Sequence, residues 1–300
     1  MNSATDVSVV LVGLNARDFV LGCLQTLRDA VWRDVSHEVI YVDNGSSDGS
    51  ADAVRDAYPE VQVIANETNV GFCPAANQGA TESNGRYYYF IIDYTEVVEY
   101  AISLLVEYMD ANPDVGTCGS RLLFPDGSEQ YSGRKFPTAW RAIFGRRSFL
   151  SRHLPNVSPV RDYLCKDELR NGEPFAVDWV SAAGQIVAPQ AFDAVGGFAE
   201  DYYYWHEAIF CHRLVQQGYR VVLHPQSRVI HYEGHGSGKR TAKVRRFHVV
   251  NFHHGAYRCY REYYGLRWFN PLRWVVATSL AARGFILWLA TFAPQTDNRQ

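Results

Sequence analysis

The sequence has 300 residues, 47% of them hydrophobic and 20% charged, with a formal net charge of −3. That composition supports a sizeable core and excludes a disordered chain, and the charge balance excludes a protein built to grip nucleic acid. The six cysteines are scattered with no C-x-x-C pair, so the pattern points to reduced thiols in a cytoplasmic protein, not to a zinc site or a disulfide framework.

In chain order, "VSVVLVGL" (7–14) is a β-branched run expected to form a strand buried on both faces. No basic segment and long apolar run precede it, so no signal peptide is expected. Residues 18–30 have helical spacing, with Phe19, Leu21, Leu24 and Leu27 apolar. "EVIYVDN" (38–44) is a second strand, and "GSSDGSADAVRDAY" (45–58) is a turn into a helix that Ser47 or Asp48 can cap. "VQVIAN" (61–66) is a third strand, residues 71–83 a loop and helix, and "YYYFIID" (87–93) a fourth strand. Strand alternating with helix predicts a parallel, doubly wound α/β sheet, and ligands bind such sheets beyond the carboxyl ends of the strands. Asn15, Asp43 and Asp93 fall at those ends. Residues 99–112 are helical in pattern. Residues 133–175 have little periodicity and are expected to form a long mobile insertion over the site.

Eight ordered motifs span residues 7–265. They are "VSVVLVGLN", "EVIYVDNGSSDGSADAV", "NETNVGFCPAANQGA", "RYYYFIIDYTEVV", "NPDVGTCGSRLLFPDGSEQYSGRKFPT", "VDWVSAAGQIVAPQAFDAVGGF", "RLVQQGYRVVLHP" and "VIHYEGHGS". In that order they resemble the inverting, family-two nucleotide-sugar glycosyltransferases, closest to the rhamnosyltransferase-like members. The resemblance implies a GT-A (Rossmann-like), mostly parallel sheet flanked by helices. It divides the chain into a glycosyltransferase-like domain at 1–265, with a nucleotide-binding half at 1–98 and an acceptor-binding half at 99–265, and a C-terminal helical extension at 266–300.

The same resemblance assigns roles. Asp43 aligns with the carboxylate that accepts from a uracil or thymine imide; the alternative is a cap on the turn that follows. Asn15 stands at the end of the first strand. Asn69, Gly71 and Asn77 align with the loop that closes on the nucleotide and sugar, Asn77 being equally suited to capping a helix. Asp93 aligns with the acidic strand-end motif that holds Mg²⁺ or Mn²⁺ on the diphosphate, since hard cations take oxygen ligands. The last acid of that motif is here Tyr94, a poor ligand, which leaves Asp93 and His231 as the candidate metal ligands and predicts weak metal dependence. Glu207 aligns with the general base that deprotonates the acceptor hydroxyl, with His206 beside it as the other candidate. Further departures are Leu14, Ala182, Ala199 and Ile209. Lys239 and Arg240 begin a basic run through Arg246 that reads as a phosphate-gripping lid or a surface for anionic lipid. His235 is a weaker candidate for phosphate or metal.

The stretch "WFNPLRWVVATSLAARGFILWLATFAP" (268–294) is apolar but interrupted by Arg283 and Gly284, which favours an interfacial helix over a spanning one. A helix packed on the domain or at a homodimer interface is the alternative. Two functions follow. One is inverting transfer from a UDP- or dTDP-sugar to a hydroxyl of a saccharide or lipid-linked acceptor, by a cytoplasmic enzyme peripheral at the inner face of the membrane. The other is a degenerate relative that binds a nucleotide sugar or serves as a scaffold.

Overall fold

In the computed structural model, residues 5–136, 153, 156–234 and 241–292 are described. The N-terminal half is built from β1 (Val7–Gly13), α1 (Arg17–Asp29), β2 (His37–Asp43), α2 (Ser50–Ala57), β3 (Gln62–Ala65), α3 (Phe72–Thr81) and β4 (Tyr87–Ile92). All seven residues of β1 are buried, as a β-branched run between two helical layers requires. β1 pairs in parallel with β2 on one side and β4 on the other, and β2 pairs in parallel with β3. The expected strands and helices are present, with ends shifted by a few residues. The buried stripe of α1 is Val20, Cys23, Leu24 and Leu27, so Phe19 and Leu21 turn further outward than the spacing suggested.

Beyond β4 the sheet becomes mixed. The chain continues through β5 (Thr95–Val97), α4 (Ala101–Ala111), β6 (Val115–Leu123), α5 (Ser158–Tyr163), α6 (Lys166–Asn171), β7 (Phe175–Ala176), β8 (Gln185–Val187), α7 (Pro189–Ala194), α8 (His206–Gln216) and β9 (Arg220–His231). The strand order is β3-β2-β1-β4-β8-β6-β9-β5, with β7 also on β9. β8 runs antiparallel to both β4 and β6, while β6 and β9 are parallel. The "mostly parallel" expectation thus describes the N-terminal half, and antiparallel pairs enter through the short β5, β7 and β8.

Period-two alternation sorts the core. Val10, Val12 and Phe90 face a layer with Phe192, Phe198 and Phe210, whereas Val9, Leu11 and Tyr89 face α1 and α4 through Leu24 and Leu105. The 133–175 segment is only partly the open insertion expected from its sequence. Phe136, Val160, Tyr163 and Leu169 are buried, and α5 and α6 pack into the structure; residues 137–152 lie outside the described residues. All six cysteines are buried and unpaired.

Two long helices close the chain, α9 (Ala242–Tyr263) and α10 (Pro271–Ala290). α9 is fastened to α8 by Arg213, whose Nε donates to Glu262 at 2.7 Å. The hydroxyl of Tyr202 also donates to Glu262, at 3.3 Å.

α3 approaches the sheet closely at Gly79, where an added Cβ would lie 2.3 Å from Val10 Cγ1. Alanine at a helix interior gains about 1 kcal/mol over glycine, but overpacking a core costs about 1–3 kcal/mol. Gly79→Ala is therefore expected to lower the melting temperature despite better helix propensity, and Gly79→Ala with Val10→Ala should recover part of the loss.

Candidate active site

The carboxyl ends of β1, β2 and β4 meet at one edge because the register pairs Gly13 with Asp43 and Val12 with Ile92. Asp93 follows directly and is 2% exposed. Its Oδ2 accepts from the Leu14 amide at 2.9 Å, and its own amide donates to the Val12 carbonyl at 3.2 Å. A Cβ at Gly13 would sit 2.9 Å from the same carboxyl oxygen. Asp93 therefore ties the end of β1 to β4 from beneath. Burial pushes its pKa up to about 7, against the opposing effect of the Leu14 hydrogen bond.

Asp43 is also buried. It accepts from the hydroxyl of Ser46 and, at 3.3 Å each, from the Ser46 amide and the Tyr41 hydroxyl. It thus caps the turn after β2, which was one of its two expected roles. The exposed Asn15 holds a left-handed φ of 50°. Its Oδ1 accepts from the Ser47 amide at 2.8 Å, bracing the same turn against β1.

The organising residue of this edge is Asn44, which was not among the expected site residues. It is buried, and its Nδ2 donates to Asn69 Oδ1 and to the Gly71 carbonyl, both at 3.1 Å. Its Oδ1 accepts from the Val70 amide at 3.0 Å. The 69–71 loop is thereby held over the turn after β2. Gly45, at φ 83°, lets it come close: a Cβ there would fall 2.7 Å from the Thr68 carbonyl carbon. Gly71, at φ 95°, starts α3. The "DNG" triplet is the sequence signal for this hub, a polar residue with two donors and an acceptor between a strand end and a glycine.

Asn77 reaches across to the second half of the chain. Its Nδ2 donates to the Phe198 carbonyl at 2.9 Å and to Glu200 at 3.2 Å, and its Oδ1 accepts from the Phe198 amide at 3.0 Å. These bonds make it a clamp on the 198–200 turn.

That clamp and the 69–71 loop bring the two halves of the site together. Phe72, next to Gly71, lies 5.1 Å ring to ring from His206, and Phe198 lies 6.1 Å from it. His206 opens α8, Glu207 follows in its first turn, and Trp205 before them adopts φ 71°. His206 is buried. Its Nε2 is 3.5 Å from Glu207 Oε2, and its Nδ1 has no hydrogen-bond partner among the described residues. Glu207 is half-buried, at a helix start where free N–H groups favour negative charge.

The two expected metal ligands each bond to protein. Asp93 Oδ2 accepts from the Leu14 amide. Tyr94, standing where the motif's final acid would be, stacks on His231 at 5.4 Å between ring centroids. Gln130 Nε2 donates to the His231 carbonyl at 2.6 Å, which turns Gln130 Oε1 to accept the His231 Nδ1–H, also at 2.6 Å. A neutral His231 in this tautomer carries its lone pair on Nε2, so it accepts there and can donate to a phosphate only when protonated. Among the described residues no group of three or more His, Cys, Asp or Glu could hold a metal. Arg245 and Arg246 are drawn to Thr291 at 3.3 and 3.2 Å, while Lys239, Arg240 and His235 lie outside the described residues.

A parallel N-terminal sheet with this loop-and-turn edge, joined to a mixed half that presents a carboxylate at a helix start, has the architecture of a GT-A glycosyltransferase. Residues 8–166 match Glycosyl transferase family 2, and the chain belongs to that family. Over 276 residues it is 28% identical to the N-acetylglucosaminyl-diphospho-decaprenol L-rhamnosyltransferase of Mycobacterium tuberculosis, covering 88% of this chain and 87% of that one. The mannosyltransferase PcManGT from Pyrobaculum calidifontis, solved with GDP-Man and Mn²⁺, superimposes with a TM-score of 0.58 at 16% identity, over 95% of this chain and 76% of that one. S. aureus TarS 1–349 in complex with UDP gives a TM-score of 0.53 at 12% identity, over 94% and 72%. The protein is thus a rhamnosyltransferase-like glycosyltransferase in sequence and a GT-A protein in fold.

Burying an ionised Asp93 works against folding. Its folded pKa, about 7, exceeds the ordinary value of 3.8, so stability is fullest below about pH 4, falls as pH rises to about 7 and levels above that. Asp93→Asn keeps the acceptor for Leu14 without the charge. Its stability is expected to gain on wild type between pH 4 and pH 7, by at most about 1.4 kcal/mol per pH unit, then to run parallel. A pH-independent difference in thermal unfolding would contradict this.

Proposed function

We propose that the protein transfers a sugar, with inversion, from a UDP- or dTDP-sugar to a hydroxyl of a saccharide or lipid-linked acceptor. Glu207 is the general base, acting without a covalent intermediate. The observation that carries this reading is the junction at Phe72 and His206, where the loop held by Asn44 beside Asp43 meets the start of α8. This junction supports a reading in which Asp43 meets a pyrimidine base and Glu207 the acceptor hydroxyl. Asp43 retains acceptor capacity for a base imide, since a carboxylate has about four lone-pair sites. His206, with its unpartnered Nδ1, orients Glu207 and shields it from solvent. The relative from Mycobacterium tuberculosis is named for a diphospho-decaprenol acceptor, which supports a lipid-linked acceptor here and work at the cytoplasmic face of a membrane.

The decisive experiment is a transfer assay across UDP- and dTDP-sugars. Glu207→Gln is expected to leave donor affinity intact by calorimetry while turnover falls about 100-fold or more. Near-normal turnover in that variant would move the base to His206 or elsewhere. A second reading, a nucleotide-sugar binder without transfer, is favoured by the Tyr94–His231 stack and the inward Asp93. It predicts donor binding but no turnover with any acceptor.

PcManGT was solved with Mn²⁺, so metal use is a direct question. With Asp93 committed to Leu14 and Tyr94 to His231, diphosphate charge would be met by cationic and neutral donors. Nucleotide affinity is expected to persist in EDTA and to weaken as salt is raised. Loss of binding on chelation, restored by Mn²⁺, would overturn that expectation.

A further inference from the structure

We infer that α10 lies in the plane of an anionic lipid bilayer surface, with α9 above it as a positively charged cushion that holds the site-bearing domain at the membrane. The inference rests on the chain's own surface and stands independently of the transfer reaction.

α10 spans twenty residues, about 30 Å, and has no buried residue. Its contacts define which side faces the protein. Arg273 Nε donates to the Tyr257 hydroxyl at 2.8 Å, and Arg283 Nη1 to His253 Nε2 at 2.8 Å. His253 is the acceptor because its Nδ1 is turned to the Val249 carbonyl at 2.7 Å. A Cβ at Gly284 would lie 3.1 Å from His253 Cγ, and Thr291 meets Arg245 and Arg246. Arg273, Gly284 and Thr291 therefore form an inward stripe along an antiparallel α9. At 100° per residue the opposite side carries Val275, Ser279, Ala282, Ile286 and Leu289, with Phe285 at its flank. That outward side has no charge, because both arginines of α10 are turned to α9. Val275, Phe285 and Ile286 are each more than half exposed.

Charge names the occupant. Residues 241–292 hold eight Lys or Arg and a single acid, Glu262, for a net +7, so the remainder of a chain with net −3 carries −10. Exposed Lys243, Arg261 and Arg267 accompany Trp268 and Phe269, the latter pair 71% and 62% exposed at the turn between the helices. Tryptophan beside cations and an apolar helix face is the pattern of an interfacial helix on anionic lipid. A spanning orientation is disfavoured by the same contacts. α10 would carry α9, with its Lys, Arg and His residues, into hydrocarbon or lose its partners to do so. α9 in turn contacts the site-bearing domain, since Phe247 packs edge-on against Tyr203 at 4.9 Å, in the segment that leads into His206.

The test uses the full chain, flotation with phosphatidylcholine vesicles with and without phosphatidylglycerol, and no sugar donor. Binding is expected to require phosphatidylglycerol and to weaken with salt. Phe285→Glu and Ile286→Glu should each reduce partition about tenfold or more, as loss of a buried apolar side chain implies, with unchanged circular dichroism. Release from vesicles by alkaline carbonate is the expected signature of an in-plane helix. Carbonate-resistant protein would overturn the orientation. Binding that ignores Ile286→Glu would overturn the assigned face. A dimer by light scattering that Ile286→Glu dissociates, with no vesicle binding, would assign the face to a second copy instead.

Discussion

Parallel pairing of β1 with both β2 and β4 is the constraint on which the rest of this molecule depends. It forces three chain reversals to occur at one edge, and each reversal must satisfy its backbone groups without a neighbouring strand. The sequence meets that demand with side chains. Asp93 takes the Leu14 amide, Asp43 takes Ser46, Asn15 takes Ser47 and Asn44 takes Val70. The polar residues of the edge are thus braced by the protein's own hydrogen bonds, which favours a pre-organised edge. Pre-organisation of this kind lowers the ordering cost of binding.

The strand–helix alternation was legible because burial leaves a periodic trace, and the strand-end carboxylates were legible because such sheets bind ligands at that edge. What the sequence did not reveal was the division of labour among its polar residues. Asn44, Asn69 and Asn77 have the same chemistry, and nothing local distinguishes a residue that touches ligand from one that fastens a loop. Partners 25 to 121 residues away make that distinction. The same limit explains the 133–175 segment, whose buried Phe136, Tyr163 and Leu169 show no period because they are spread over short elements. The basic run is divided by a fact only tertiary structure supplies, the docking of Arg245 and Arg246 on the end of α10.

Tyr94 gives this strand end an aromatic character. A carboxylate at that position would adjoin Asp93 and would need a counter-charge. A tyrosine ring needs none, and it finds a stacking partner in His231, which Gln130 holds in one tautomer.

The six buried cysteines carry a practical consequence. Burial pushes the thiols of Cys23, Cys165 and Cys211 to about 12 and raises the other three further, so at neutral pH the folded protein presents almost no thiolate. Alkylating reagents should therefore be silent on the native chain and report only its unfolding. A single cysteine placed on the outer surface would be the sole reactive handle, so spectroscopic probes can be attached at chosen points without first stripping the native cysteines from the core.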